Sequence, residues 1–213
     1  MTDIGPSAYS FAEAINNRGQ VVGITESPPE DTDPYVPLSG MPTHVFLWES
    51  GHLSDLPIKG LCRPVDDFGC EYRDPTVNGI NERGHVIGVD GAGRGFLWRR
   101  GVVQDLGSFH PTAINDRGQV AGGDQLWENG AIIDFGLPSL CLGIQCYHPL
   151  AADINEQGQV VGAYPFGVTE GPHPRVLYHG FLWSRTRDHG GDDDSDDESD
   201  HDSDDGSDHD SDD

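Results

Sequence analysis

The sequence predicts an all-β protein, built as a small β-propeller of four four-stranded blades. Two observations carry this prediction: one ten-residue motif occurs four times, and a second motif follows three of its copies. Each motif is typical of a β-hairpin with a Gly-closed turn, so a pair of motifs makes a four-stranded antiparallel meander. An open β-solenoid built from the same hairpins is the alternative architecture.

The first motif spans residues 14–23 and returns at 79–88, 113–122 and 153–162. In every copy a Gly follows the Asn by three positions, a Val by five and a second Gly by seven. Asn at the first position of a type I turn can bond the backbone ahead of it, and Gly at the fourth supplies the positive φ that restores strand twist. A helix beginning at the Asn is excluded by the Gly and the β-branched residues that follow. The motif therefore predicts a tight hairpin turn in each repeat.

The second motif spans residues 46–56, 96–106 and 126–135, and in each copy Gly follows Trp by three positions and Asp follows it by seven. The strand before this turn, for example His44–Trp48, is apolar on both alternating sides. A sheet has this pattern when neighbouring sheets cover both of its faces, as the blades of a propeller do.

The fourth repeat ends after Phe181–Trp183 without the last strand of the meander. The chain begins with Met1–Gly5, which matches Val103–Gly107 in spacing and residue type. We therefore expect the N-terminal strand to complete the last blade and close the ring. Residues 1–187 form the repeat domain, and roughly 46 residues per blade is a normal blade length.

The repeats resemble the HAF repeat, a bacterial family named for a His-Ala-Phe run. The resemblance lies in His44-Val45-Phe46 and His179-Gly180-Phe181, each followed by Leu-Trp. Arg94 and Gly123 replace the His in the second and third repeats. The resemblance covers most of residues 1–185 and implies an extracellular repeat protein; it implies no activity.

The formal net charge of −25 argues against nucleic-acid binding, which needs a basic surface. No apolar run approaches the roughly 20 residues of a membrane span. The first residues already belong to a predicted strand, so no signal peptide is expected in this chain. We expect a monomer that acts outside the cell or at its surface, with the cytoplasm as the alternative location.

Four cysteines lie in two equivalent linkers, Cys62 and Cys70 after the first repeat, Cys141 and Cys146 after the third. Local pairs in long loops predict two disulfides, Cys62–Cys70 and Cys141–Cys146, and hence an oxidising compartment. Free thiols are one alternative. A zinc site that includes His148 is another, although neither pair has the usual two-residue gap of zinc ligands.

Residues 188–213 form a tail that is rich in Asp, Ser and His. Because it has no apolar side chains to bury, we expect it to be disordered and to act as a solvating segment. Weak Ca²⁺ binding by its carboxylates is the alternative, since unshaped carboxylates make poor calcium sites. We predict no other cofactor and no metal site.

The sequence contains no nucleophile elbow, no His-Glu-x-x-His and no phosphate-binding Gly loop. We therefore predict no catalytic residues and no enzyme activity. The repeated Trp side chains are expected between the blades, and the repeated Asp of the last strand as a structural hydrogen-bonding group. His44 and His179 are expected to pack or to form hydrogen bonds at strand starts.

In a meander of this kind the two short turns lie at one end, and the connections of variable length lie at the other. The predicted loop face comprises residues 24–43, 57–75, 89–95, 136–150 and 163–178. Its binding candidates are Tyr35, Phe68, Tyr72, Tyr147, His148, Tyr164, His173 and Arg175. We expect a secreted or surface module that binds a protein or a glycan through this face. A hydrolase whose Asp and His side chains converge over the channel is the alternative.

Overall fold

The computed structural model describes residues 2–5, 9–26, 43–66, 69–171 and 173–185. The first sheet contains β1 (Ser10–Ile15), β2 (Val21–Glu26), β3 (Thr43–Glu49) and β4 (His52–Lys59). A hairpin of β5 (Leu61–Asp66) and β6 (Gly69–Arg73) follows. The second sheet contains β7 (Thr76–Ile80), β8 (Val86–Val89), β9 (Gly95–Arg99) and β10 (Val102–Gly107).

The third sheet contains β11 (Ala113–Ile114), β12 (Val120–Gly122), β13 (Gln125–Glu128) and β14 (Ala131–Asp134). A second hairpin of β15 (Leu140–Leu142) and β16 (Gln145–Tyr147) precedes the fourth sheet. The fourth sheet contains β17 (Leu150–Ile154), β18 (Val160–Val168) and β19 (Val176–Trp183). Within these ranges the protein is all-β and its sheets are antiparallel, which confirms the all-β part of the prediction; none of the sheets closes into a barrel. No helix in the described ranges is long and apolar enough to cross a membrane.

The Asn-Gly turn has the predicted geometry. In the first repeat, the Gly19 amide donates to the carbonyl oxygen of Asn16 over 3.0 Å, and Gly19 has a φ of 76°. The side-chain oxygen of Asn16 accepts hydrogen bonds from the amides of Arg18 and Gln20. The equivalent glycines of the other repeats have φ values between 75° and 80°. Such a backbone is strained for any residue with a Cβ, which explains the Gly in every copy.

The second Gly of the motif is required by close packing. A Cβ on Gly88 would lie 1.9 Å from the carbonyl oxygen of Thr76 and 2.8 Å from the ring of Phe96. A Cβ on Gly162 would lie 2.6 Å from the ring of Phe181. In the first, second and fourth repeats the Phe before Leu-Trp therefore packs directly on a Gly of the first motif, and the two motifs depend on each other.

The sheets pack on one another in chain order, and each neighbouring pair encloses its own apolar core. The first core contains Val22, Leu47, Leu56, Val77, Val86 and Phe96. The second contains Ile87, Leu97, Leu106, Phe109, Val120 and Trp127. The third contains Ala121, Leu126, Phe135, Ala151, Ile154 and Val160. As predicted, the inner sheets are covered on both faces.

A ladder of asparagine side chains joins the four turns. The Nδ2 of Asn16 donates to the carbonyl oxygen of Asn81 over 2.9 Å, and that of Asn81 donates to Asn115 over 2.8 Å. Asn115 continues the ladder to the carbonyl oxygen of Asn155 over 2.9 Å. Each turn therefore fixes the position of the next sheet.

The stack leaves an apolar face uncovered at each end. Leu182 of the fourth sheet is 65% exposed, whereas Leu97 at the same position of the second sheet is 0% exposed. On the first sheet Ile15 is 69% exposed, whereas its equivalent Ile154 is 7% exposed. The first and fourth sheets therefore do not cover these faces for each other.

The predicted closure of the ring by residues 1–5 is not seen. The fourth sheet has three strands, and residues 2–5 do not form a strand. Ile4 instead lines a cavity on the outer face of the first sheet, together with Ala12 and Val21. This face follows Ile4 closely in the chain, so apolar contacts form there without bringing the two ends of the repeat domain together.

The linker hairpins carry the cysteines. Cys141 and Cys146 are directly opposed across β15 and β16 and form a disulfide, with their Cα atoms 4.0 Å apart. This confirms the second predicted pair. The side chains of Cys62 and Cys70 lie outside those that the structure describes, so the first pair stays a prediction.

The loop face differs from the prediction at the fourth repeat. Most of residues 163–178 belong to extended ends of β18 and β19, and residues 169–175 connect the two strands. Residues 27–42, most of the predicted first loop, lie outside the described ranges, as does the predicted tail.

Candidate functional site

Five of the eight predicted binding-face side chains are described: Tyr147, His148, Tyr164, His173 and Arg175. Tyr35, Phe68 and the side chain of Tyr72 lie outside the described part of the chain. The five belong to the linker before β17 and to the β18–β19 hairpin. They therefore lie at one end of the fourth repeat, opposite its Asn-Gly turn.

Three rings stack at this end of the hairpin. Tyr164 and His179 are direct cross-strand partners, and their ring centroids lie 5.8 Å apart in an edge-to-face arrangement. Phe166 stacks on the same imidazole, with a centroid distance of 3.7 Å and an interplanar angle of 33°. The Phe166 side chain is 46% exposed. We call Tyr164, Phe166 and His179 the aromatic cluster.

A β-bulge shapes the aromatic cluster. Tyr178 pairs with Pro165 and Leu177 pairs with Gly167, so Phe166 is the extra residue of β18. A bulge re-aims the side chain of the extra residue and locally bends the strand. Phe166 is thereby held against His179 by paired strands on both sides and does not depend on a free loop.

The sequence pointed to one member of the aromatic cluster. Tyr164 is among the predicted binding residues and Phe166 lies in the predicted loop 163–178 of the same face, whereas His179 is expected in a structural role. Pro165 and Gly167 are turn signals, and they hid the continuation of the strand. The available signal was the Tyr-x-Phe spacing, which places two rings on one face of a strand.

The flanking segments are also held in place. β15 contacts β18, and next to the disulfide hairpin the Oγ of Ser139 lies 2.9 Å from Nδ1 of His148. In the β18–β19 connection, the Arg175 amide donates to Oγ1 of Thr169 and the Thr169 amide donates to the Arg175 carbonyl, both over 2.9 Å. The exposed side chains of His173 and Arg175 therefore project from a closed loop beside these strands.

A second concave feature lies at the opposite end, between the third and fourth Asn-Gly turns. This cavity has a volume of about 520 Å³. Its lining includes Arg117, Gln119, Gln157, Gln159, Trp183 and Arg185. Polar side chains and the apolar side chains of Leu126 and Trp183 line it together, and no motif of the sequence points to it.

The cavity follows from a residue that the fourth repeat lacks. In the third repeat, Oε1 of Glu128 accepts a hydrogen bond from Nε2 of Gln119 over 2.7 Å. Ser184 stands at the position of Glu128 in the fourth repeat, beside Gln159, and its short side chain leaves space. Arg185 forms an ion pair with Glu128 at 2.7 Å, and this hydrogen bond lowers the pKa of the Glu128 carboxyl.

The second repeat carries positive groups at the same end. His85 stands where the other repeats have Gln, and it is partly buried. Burial lowers the pKa of His85, and the nearby guanidinium groups of Arg99, Arg83 and Arg100 lower it further. The imidazole is therefore neutral at neutral pH.

As predicted, the repeated Asp of the last strand forms hydrogen bonds, and in the first and second repeats its side-chain partner belongs to the same repeat. Nε2 of His44 lies 3.0 Å from Oδ1 of Asp55. At the equivalent place Arg94 forms a two-pronged ion pair with Asp105, which lowers the pKa of the Asp105 carboxyl. These contacts tie strands together.

Comparison with known proteins gives no relative: no family model, no curated protein and no solved structure matches this chain. The resemblance to HAF repeats therefore stays a prediction from the motif. Among the described residues, no group of three His, Cys, Asp or Glu side chains converges as a metal site requires.

Proposed function

We propose that this protein is a non-catalytic recognition module of the extracellular space or cell surface, built from HAF-type repeats. Its four sheets would be the blades of a propeller-type array that holds the loop end of the fourth repeat rigid. The observation that carries the proposal is the aromatic cluster, which presents exposed ring surface on paired strands. Aromatic side chains in this setting supply contact area at low cost in conformational entropy.

The exposed surroundings of the aromatic cluster favour a protein ligand over a glycan. Tyr178 and Val168 are 43% and 39% exposed on the opposite face of the same hairpin, so both of its faces carry apolar or aromatic surface near the aromatic cluster. Binding hot spots on proteins combine aromatic anchors with apolar surroundings and Arg. The exposed Arg175 adds that positive group. A glycan site would require more polar groups arranged around the stacking surface.

The disulfide supports the proposed location. Cys141 and Cys146 pair in a short hairpin that contacts β18, the strand that carries Tyr164 and Phe166. Disulfides persist in oxidising compartments. The same disulfide restrains the β15–β16 hairpin, which lies beside the proposed binding surface. An oxidising location is therefore consistent with the proposed binding role.

Selection from a phage-displayed random peptide library against the full-length chain tests the ligand class, with a glycan array as the second arm. Selected peptides are expected to be rich in aromatic and aliphatic residues. The Phe166→Ala variant should weaken their binding at least about tenfold, as loss of a central aromatic anchor does. Ile132→Ala removes an equally exposed apolar side chain, at 53% exposure, from a strand of the third sheet and should leave binding unchanged.

Two outcomes would contradict the proposal. Binding of a glycan that requires Phe166 would assign the aromatic cluster to a carbohydrate. Peptides that bind the wild type and Phe166→Ala equally would place recognition elsewhere on the molecule.

A further inference from the structure

The fourth sheet exposes a face that the preceding sheets bury. Val161 is 44% exposed and Leu182 is 65% exposed, whereas their equivalents Ile87 and Leu97 are both 0% exposed. In the second sheet these two positions pack against the third sheet. The described residues therefore form the same sheet-to-sheet interface three times and leave one side of a further copy of it exposed on the fourth sheet.

The first sheet exposes the other side of that interface. Ile80, Ile114 and Ile154 each pack in the core shared with the preceding sheet, whereas their equivalent Ile15 is 69% exposed. The two open faces are thus the two complementary halves of one interface. The two faces differ from each other, so each is expected to pack on the other kind of face and not on a copy of itself.

Residues 2–5 imitate the last strand of a preceding repeat. Oδ1 of Asp3 accepts a hydrogen bond from the Gly5 amide over 3.0 Å, as Asp105 does from the amide of Gly107 over 2.7 Å. The residue between Asp105 and Gly107 is Leu106, which is buried in the core with the following sheet. Ile4, between Asp3 and Gly5, lines a cavity on the first sheet and so lies where a preceding repeat would place it.

The fourth sheet lacks the strand that residues 2–5 imitate. β19 pairs with β18, and among the described residues its other edge carries no strand. In the three preceding sheets this edge is covered by β4, β10 or β14. The first sheet is therefore preceded by a segment that resembles a last strand, the fourth sheet lacks a last strand among the described residues, and each of the two sheets exposes one half of the apolar interface.

We propose that two copies of this chain associate head to tail. The outer face of the fourth sheet of one copy packs on the outer face of the first sheet of the second, and residues 2–5 of the second copy pair with β19 of the first. This interface repeats the three interfaces inside the chain, which is why a second copy is the occupant that fits.

The asparagine ladder continues across the proposed interface. The carbonyl oxygen of Asn81 accepts the Gly84 amide and still accepts Nδ2 of Asn16. The carbonyl oxygen of Asn16 is placed in the same way in its own turn. In the proposed dimer, Nδ2 of Asn155 from the first copy therefore donates a hydrogen bond to the carbonyl oxygen of Asn16 of the second. This bond would be the fourth in the asparagine ladder.

Charge sets the conditions for association. Each copy carries a formal net charge of −25, so two copies repel each other over distances that salt screens. Association is expected to strengthen as the salt concentration rises, because the interface itself is apolar. An interface held by ion pairs would weaken instead.

The test is sedimentation velocity over a range of protein concentrations, using the full chain. The wild type should form dimers or longer head-to-tail species. Leu182→Arg and Ile15→Arg should each weaken association at least about tenfold, because each places a charge in an apolar contact. Val102→Arg makes the same change at a side chain of equal exposure, 64%, on the second sheet and should have no effect.

Mixing the two variants gives the decisive result. The Ile15→Arg copy keeps an intact fourth sheet, and the Leu182→Arg copy keeps an intact first sheet. A head-to-tail interface therefore forms a one-to-one dimer in the mixture, although neither variant associates alone. Hydrogen exchange of the wild type adds an independent readout, because the β19 amides should become protected as the protein concentration rises.

Three outcomes would overturn the proposal. A wild type that stays monomeric, with both variants melting lower at every concentration, would show closure within one chain. Loss of association in Leu182→Arg alone would show a symmetric contact of two fourth sheets. Concentration-independent exchange of the β19 amides, without rescue in the mixture, would exclude the second copy.

Discussion

The Nδ2 of Asn81 donates a hydrogen bond to the carbonyl oxygen of Asn115 over 2.8 Å, and this bond is buried. Oδ1 of the same Asn81 accepts from the amides of Arg83 and His85 within its own turn. Asn81→Ala leaves the amides of Arg83 and His85 without this partner and the Asn115 carbonyl oxygen with the Gly118 amide alone, so we expect the free energy of unfolding to fall by about 3 kcal/mol. Denaturant titration at low protein concentration measures the change.

Asn155→Ala is the matched control for this effect. Among the described residues, the Asn155 side chain bonds within its own turn and does not reach a further sheet. The loss should be about 1 kcal/mol, the value of exposed turn hydrogen bonds. Equal losses in both variants would mean that the ladder between sheets contributes nothing.

Gly88→Ala tests the packing of Phe on Gly. The added Cβ would lie 1.9 Å from the Thr76 carbonyl oxygen, so strand β7 or the Phe96 ring must move. We expect the free energy of unfolding to fall by about 3 kcal/mol or more. Gly180→Ala provides the comparison, because its nearest contact would be an ordinary 3.8 Å and its effect should stay within about 0.5 kcal/mol. Similar losses at the two sites would argue against a steric role for Gly88.

The lowered pKa of His85 leads us to expect that the folded protein becomes less stable as the pH falls. Because burial and the neighbouring arginines lower its folded-state pKa below 6.5, the unfolded chain binds the proton more readily. The contribution is fully present above the unfolded pKa and is lost as the pH falls through the folded pKa. Melting temperatures measured from neutral to mildly acidic pH should therefore decline with a component that is absent from His85→Gln. That variant carries the Gln that the other repeats have at this position. If its melting temperature declined with pH in the same way as that of the wild type, the prediction would be wrong.

The Cys141–Cys146 disulfide closes a short loop, so its removal should cost little global stability. Cys141→Ser with Cys146→Ser is expected to lower the free energy of unfolding by about 2 kcal/mol or less, since the entropy of a small closed loop is small. Limited proteolysis between residues 136 and 150 should become faster, because β15 and β16 lose their covalent restraint. Ile144→Ser, at a fully exposed position of the same hairpin, should change neither quantity. Unaltered cleavage in the double variant would show that backbone pairing alone holds the hairpin.

The repeats made the fold predictable at positions where the backbone accepts only one residue type, such as Gly. The positive φ of Gly19 and the close approach at Gly88 recur with the motif, so spacing alone identified turns and sheets. The hairpins of β5–β6 and β15–β16 carry no repeated motif, so the sequence predicts loops at these places. Met1–Gly5 matches a last strand in spacing and residue type, but residues 2–5 form no strand in the structure, because a matching pattern does not say which sheet edge receives the segment.

The site was harder to predict because it departs from the repeat. Tyr164 stood out as an aromatic residue in a variable segment, but the strands that hold it continue through Pro165 and Gly167, residues that usually end a strand. The cavity beside Ser184 depends on the absence of a Glu, which becomes apparent when the fourth repeat is compared with the first and third. Both the proposed binding surface and the cavity arise from what the fourth repeat adds or lacks.

The packing of the sheets in chain order has a consequence for folding speed. Each of the three cores joins segments that are neighbours in sequence, so the contact order of the domain stays low for an all-β protein. Folding rates of small domains rise as contact order falls. Folding can therefore begin at any one of the cores and spread to its neighbours one repeat at a time, as in other repeat arrays.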